Sequence, residues 1–223
     1  RIGALVRHKT CERAQELRGR FGALADAAPL ISDPIVRNLG TVAGSLAHAD
    51  PQGDWGSVML AFRARVEARS AAGTREIPIA EFFAGPFTST LEANEIVTAV
   101  LVPDPGPRAG GTYLKLERKV GDFATVGAAV HVELDDGRVR RAGIGLTGVG
   151  PRNLSAPAAE EALADAVPDD DAVRGAAELA AEAAEPRDDV RGSAEFKRNV
   201  VRVYVERGLR TAVAAAQARE GDA

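Results

Sequence analysis

The residues best suited to chemistry lie in RNLGTVAGSLAHADPQGD, residues 37–54. Gly40, Ala43, Gly44 and Ser45 are too small to hold backbone amides away from a bulky anion, and the Thr41 and Ser45 hydroxyls add donors, so this stretch could cradle a pyrophosphate. It is not a Walker loop, because no lysine follows at the required place. Nor is it the dinucleotide fingerprint, because no G-x-G-x-x-G opens a helix after a strand. Other chemistry is scarce. The single cysteine, Cys11, cannot close an intramolecular disulfide and reads as a small core residue, and the three histidines, His8, His48 and His131, form no cluster suited to zinc or an iron–sulfur centre. His48, alone in a loop, is more simply a hydrogen-bonding residue than a proton carrier. No Ser/His/Asp arrangement or convincingly spaced carboxylate pair is present. The run Asp169-Asp170-Asp171 precedes a helical pattern and would complement its N-terminus. Redox chemistry would therefore need an organic cofactor.

The elements that must position the stretch follow from periodicity. Residues 2–6 read as a strand, and Thr10 is predicted to cap a helix that runs on through Glu12 and Glu16. A second helix is predicted over 21–30. Pro34, Asn38 and Gly40 then break the pattern, and 40–54 is predicted as a long loop. Asp54 is predicted to cap the next helix, in which Trp55, Val58, Met59 and Phe62 recur at helical spacing and read as core. A hairpin around Ala72-Gly73, a short helix at 80–83 and a strand ending at Pro103 come next. Residues 103–111 hold three prolines and three glycines, which places a domain boundary there, dividing the chain into 1–107 and 108–223. Beyond it, three strands with a turn at Asp135-Asp136-Gly137 precede helices predicted at 156–166, 172–184 and 194–216.

The order and spacing of residues 37–54 closely resemble the flavin-binding loop of the molybdenum hydroxylases, the xanthine dehydrogenase and aerobic carbon monoxide dehydrogenase family. Arg37, Asn38, Gly40, Thr41, Val42, Gly44, Ser45, Leu46, Asp50, Pro51 and Asp54 fit that family's run, and His48 to Pro51 is similar to the separate medium-subunit form. LKLERKVGDFATVGAAV, residues 114–130, and GPRNLSA, residues 150–156, are also similar to that family. The resemblance implies an α+β fold: the second part of a PCMH-type FAD-binding domain, then a carbon monoxide dehydrogenase flavoprotein C-terminal-like domain of a three-stranded sheet with packed helices. It implies that Thr41, Val42, Ala43, Gly44 and Ser45 bind the FAD pyrophosphate, with Asp54 a polar partner of the cofactor and Asp50 also in contact with it. Ala43 stands where the family prefers glycine, which would strain the loop if that position needs a positive φ. Ile31 and Val97 match flavin-touching positions, though core packing explains each equally. Lys115 matches a flavin-contacting lysine whose charge could stabilise an anionic reduced ring, against the alternative of a solvated strand lysine. Phe123 matches a residue that covers one face of the ring, or is plain core.

The family also carries an N-terminal subdomain whose AGG-[QH]-SL-type loop grips the other side of the cofactor. No equivalent loop is found in this chain, which would leave FAD binding weak. The implied role is electron transfer from the iron–sulfur clusters of a small subunit, beside a large subunit holding the molybdenum cofactor, to an acceptor such as a quinone or NAD. The alternative is a cofactor-free scaffold that kept the fold. Composition agrees with an enzyme or subunit: 45% hydrophobic and 27% charged residues, a net charge of −4, and only seven Phe, two Tyr and one Trp. Without a basic stripe interleaved with aromatics, nucleic acid is not an expected partner. No apolar run reaches the ~20 residues of a membrane span and no leader pattern opens the chain, so the expected location is the cytoplasm.

Overall fold

The computed structural model describes residues 1–220. Two antiparallel four-stranded sheets and a two-stranded hairpin carry the helices. The first part runs β1 (Ile2–Gly3), α1 (His8–Arg13), α2 (Gly22–Ala27), α3 (Pro34–Leu39), α4 (Val42–His48), α5 (Asp54–Phe62), β2 (Arg65–Ser70), β3 (Gly73–Pro78), α6 (Ile79–Phe82), β4 (Phe83–Gly85), β5 (Thr88–Ser89) and β6 (Ile96–Leu101). Its sheet has the order β1-β6-β2-β3. The second part runs β7 (Ala109–Leu116), β8 (Val126–Asp135), β9 (Arg138–Thr147), β10 (Leu154–Ser155), α7 (Pro157–Leu163), α8 (Asp170–Glu182) and α9 (Ala194–Glu220). Its sheet has the order β10-β9-β8-β7: the three expected strands, with a two-residue edge strand added.

The centre of the molecule is the second sheet, covered on both faces. β8 is buried at every residue from Val126 to Leu134, and only Asp135 at its end reaches solvent. Val126, Ala128, Val130, Val132 and Leu134 face a core built with α7, α8 and α9. The alternate residues face α5 and α2, where His131 lies 4.5 Å, centroid to centroid, from Phe62. A strand covered on both sides reads as a nearly continuous apolar run, interrupted here by the buried His131 and Glu133. All nine residues of α5 are buried. The helix reaches the sheet because β9 carries Gly143 and Gly145, where a Cβ would collide with the Ala61 and Ser57 carbonyls. Gly56 on α5 likewise leaves room for the Asn153 side chain.

Several local expectations are corrected. Residues 40–54 are not one long loop, because 42–48 fold as α4. Thr41 stops the chain in extended geometry and its hydroxyl accepts the Gly44 N–H at 3.0 Å, a cap that starts a helix on the small residues behind it. Ala43 is inside that helix and is not among the positive-φ residues, so the strain expected there does not arise. Asp33 caps α3 at the Val36 N–H, with Pro34 in the first turn. Thr10 lies within α1 rather than capping it. The chain turns out of the sheet after Gly3, and Val6 to His8 is tied to 40–42 by Val42 N–H to Val6 O and His8 N–H to Gly40 O, which starts the helix earlier. Asp54 is the first residue of α5 but does not cap it, because its carboxylate is engaged across the molecule.

Candidate functional site

A cleft of about 280 Å³ opens between the C-terminal end of α4, the first turn of α5, the 31–32 turn and the loop that joins β7 to β8. Ile31, Ser45, Asp50, Asp54, Lys115 and Phe123 line it together. They come from three separate sequence segments, of which residue chemistry pointed to Ser45 and the family resemblance to all six. Ile31 owes its place to Arg37, whose guanidinium donates to the Ile31 and Ser32 carbonyls at 3.0 and 2.7 Å and to Glu12 at 3.0 Å. Ser32, at φ 47, turns the chain sharply there. The arginine of the motif therefore shapes the cleft wall from behind.

The floor is a buried polar network. Asp54 accepts from the Tyr113 hydroxyl at 2.6 Å through Oδ1 and from Lys115 Nζ at 3.1 Å through Oδ2. Lys115 Nζ also donates to the Leu30 carbonyl at 2.9 Å and lies 3.4 Å from Glu117. Behind them, Thr147 donates to Ser57 at 2.6 Å, and Asn153 donates to Thr147 and to the Gly53 carbonyl. Asn153 belongs to the 150–156 phrase, so that phrase serves the cleft by fixing the entry to α5. Burial pushes the Asp54 carboxyl above its ordinary value against the opposing pull of Lys115 and the Tyr113 hydrogen bond. Burial, and then the neighbouring carboxylate, push the Tyr113 phenol well above its own. Tyr113 is thus a neutral donor, and Lys115 carries a buried charge matched by two carboxylates. It is not a solvated strand lysine, since its side chain is 2% exposed.

The remaining nominated residues stand elsewhere. Thr41, Val42, Ala43 and Gly44 form the first turn of α4, beside the cleft rather than lining it. Val42 and Ala43 are buried, Gly44 is exposed, and the Val42 and Ser45 N–H groups already bond to Val6 and Thr41 carbonyls. Val97 lies in β6 opposite Ala68 and packs on the core of the first part, with Val66 and Val100, and does not line the cleft. His48 lies at the cleft edge against the Phe87 ring, 5.2 Å between centroids.

Sequence reasoning passed over His8, Gln52, Gly121 and Asp122, which also line the cleft. His8 is 4% exposed and accepts the Trp55 indole N–H on Nδ1 at 2.9 Å. Burial, aided by the nearby Arg37 charge, lowers its pKa to about 4, so it is a neutral group. Gly121 turns at φ +83 with its Cα against the Ser32 backbone, where a Cβ would meet the carbonyl at 3.2 Å. Gly121 and Asp122 sit in the same phrase as Phe123 and were within reach of that match. Nothing in the local sequence marks His8.

The donor set fits part of a flavin dinucleotide. Ile31, Val36 and a Phe123 ring that is 52% exposed offer apolar surface to a flat ring, with Ser45, Asp50 and Gln52 at its polar edges. The volume is just below that of pockets that enclose drug-sized ligands, about 300 to 1,000 Å³. The cleft thus has room for a ring system and not for a whole dinucleotide. Among the described residues no group of His, Cys, Asp or Glu could hold a metal ion, and no helix is long and apolar enough to cross a membrane.

Residues 1–105 match the family described as the FAD binding domain in molybdopterin dehydrogenase, and residues 111–212 match the CO dehydrogenase flavoprotein C-terminal domain. Subunit alpha of the 6-hydroxypseudooxynicotine dehydrogenase complex of Paenarthrobacter nicotinovorans is 36% identical over 95% of this chain and 72% of its own length. The carbon monoxide dehydrogenase medium chain of Hydrogenophaga pseudoflava is 35% identical over 79% of this chain, which spans 61% of that relative's length. A solved carbon monoxide dehydrogenase from the same organism superposes with a TM-score of 0.91 at 37% identity, covering 95% of this chain and 74% of the other. On sequence and on fold together, the chain belongs to the FAD-binding medium subunits of the molybdenum hydroxylase family, the group that includes the carbon monoxide dehydrogenase medium chain.

Proposed function

We propose that this chain holds the isoalloxazine ring of FAD in the cleft between α4, α5 and the β7–β8 loop, and serves as the electron-transferring subunit of a molybdenum hydroxylase. The observation that carries the reading is the convergence of Ile31, Ser45, Asp50, Asp54, Lys115 and Phe123 on one cleft, drawn from both family-matched segments. Phe123 and Ile31 would bracket the ring by apolar contact. Lys115, fixed by Leu30, Asp54 and Glu117, would place a buried positive charge beside it, and charge in a poorly hydrated site acts more strongly than in water. Asp54 takes the role of holding that lysine and the Tyr113 hydroxyl, since both its oxygens are already engaged. The Val42, Gly44 and Ser45 N–H groups are already bonded within the protein, so Thr41 to Ser45 would meet the rest of the dinucleotide through the exposed Gly44 surface and the Ser45 hydroxyl. Val97 would act through packing.

A bound flavin accepts electrons singly and releases them in pairs, which suits a station between one-electron clusters and a two-electron acceptor. The partners would be an iron–sulfur small subunit and a molybdenum-cofactor large subunit, with a quinone, NAD or another acceptor taking the electrons. The test mixes the FAD-loaded chain with a pre-reduced iron–sulfur subunit of the same complex and follows flavin absorbance. Bleaching that a Phe123→Ala or Lys115→Met substitution slows is the expected result. A flavin that stays oxidised beside a reduced, bound partner would overturn the electron-transfer role.

A further inference from the structure

Phe123 poses a mechanical problem. With 52% of it exposed, its own packing does not fix the ring, yet it faces the cleft. The loop that carries it is held by polar contacts on both sides of the residue. Before it, the Asp122 carboxylate accepts the Phe123 N–H at 2.8 Å, Arg118 Nε at 3.1 Å and one arm of Arg191 at 3.2 Å. After it, the Ala124 carbonyl accepts from Gln52 Nε2 at 3.3 Å, and the other arm of Arg191 donates to that same Gln52 side chain at 3.2 Å. One guanidinium therefore grips both supports of Phe123.

Arg191 is itself built in. It lies between α8 and α9, its N–H donates to Asp189 at 2.8 Å, and Asp189 pairs at 2.7 Å with Lys197, whose side chain in α9 is 3% exposed. The Arg191 and Asp122 side chains are 16% and 10% exposed, so the pair is well shielded from water. A planar, two-armed donor suits this task and a lysine ammonium does not, because the two acceptors lie on different chain segments.

We infer that Arg191 is a positioning residue that reaches from the α8–α9 connection to fix Phe123 over the cleft, so that the last helices of the chain control how tightly the ring is stacked. The inference rests on the reading that FAD occupies the cleft. Its test is a cycle of Arg191→Ala, Arg191→Lys, Phe123→Ala and Arg191→Ala/Phe123→Ala in the full chain, read by the FAD dissociation constant and by the emission of bound flavin, which aromatic stacking quenches. Arg191→Ala and Arg191→Lys should each weaken FAD binding by about 2- to 10-fold, the worth of an aromatic stacking contact, and brighten the bound flavin. In the Phe123→Ala background the Arg191 substitution should add nothing. A merely structural arginine would lower the denaturation midpoint while leaving flavin emission unchanged, or would add its full effect in that background; either result overturns the positioning role while the FAD reading stands. A wild-type chain that binds no FAD overturns both, and that outcome is seen before any variant is made.

Discussion

Lowering the pH tests the His8–Trp55 contact, because the single tryptophan of the chain reports its own partner. His8 accepts the indole N–H, so a proton added at Nδ1 would remove that hydrogen bond within a buried site. Folding lowers the His8 pKa from 6.5 to about 4. The unfolded chain thus binds the proton first as pH falls, and the stability carried by neutral His8 is complete above pH 6.5 and lost progressively between 6.5 and about 4. At about 1.4 kcal/mol per pH unit the full loss is about 3 kcal/mol. His131, lowered to about 3 by burial and then by Arg141, acts in the same direction. Between about pH 5.5 and 5, where both histidines are charged only in the unfolded chain, the two together should contribute a loss of about 2.7 kcal/mol per pH unit to the stability read by urea denaturation. In His8→Gln, whose amide oxygen can still accept from Trp55, the slope should be shallower than in the wild type by about 1.4 kcal/mol per pH unit. Trp55 emission of the folded protein should stay constant from pH 8 to 5. Equal slopes in the two proteins, or a Trp55 transition centred near 6.5 without unfolding, would refute the reasoning.

Other perturbations separate packing from binding. Gly145→Ala puts a methyl into the Ser57 carbonyl and should destabilise by about 3 kcal/mol in urea denaturation, at the upper end for overpacked cores. Asp54→Asn leaves the buried Lys115 with Glu117 as its one remaining carboxylate and should lose about 3 kcal/mol, whereas adding Lys115→Met should recover part of it, since removing the buried lysine as well is milder than leaving it under-compensated. Thr41→Ala removes the α4 cap and should lose about 1 kcal/mol by the same measurement. Phe123→Ala should change stability by about 0.5 kcal/mol or less, given its exposure, while weakening FAD binding by about 2- to 10-fold in a flavin titration.

What the sequence made legible was whatever local chemistry decides. The turn at Asp136-Gly137 sits at φ 48 and 71, as a tight hairpin turn demands, and Asp169 caps α8 through the Asp171 and Ala172 N–H groups. α4 was missed because Gly44 and Ser45 read as loop residues, while the Thr41 cap that outweighs them is one hydrogen bond. Asp54 was expected to cap α5 because aspartate suits that position; its carboxylate turned instead to a tyrosine and a lysine some sixty residues away, a preference only the assembled fold creates. Six of the residues that the family pattern points to line the candidate cleft, and the pattern did not separate residues by role. Arg37, Asp54 and Asn153 hold the walls, Ile31 and Phe123 face the cleft, and Val97 packs elsewhere. Arg191 carried no local signal, because its two acceptors come from loops far away in sequence.

The claim that the α4–α5–β7/β8 cleft is a flavin site is tested most directly by titrating the chain with FAD while following Trp55 emission, since Trp55 lines that cleft. Saturable quenching to one FAD per chain, with weaker binding in Phe123→Ala and in a Gly121→Val variant that crowds the Ser32 turn, is the expected result. Emission that falls only in proportion to added flavin, or saturates identically in all three proteins, would contradict it.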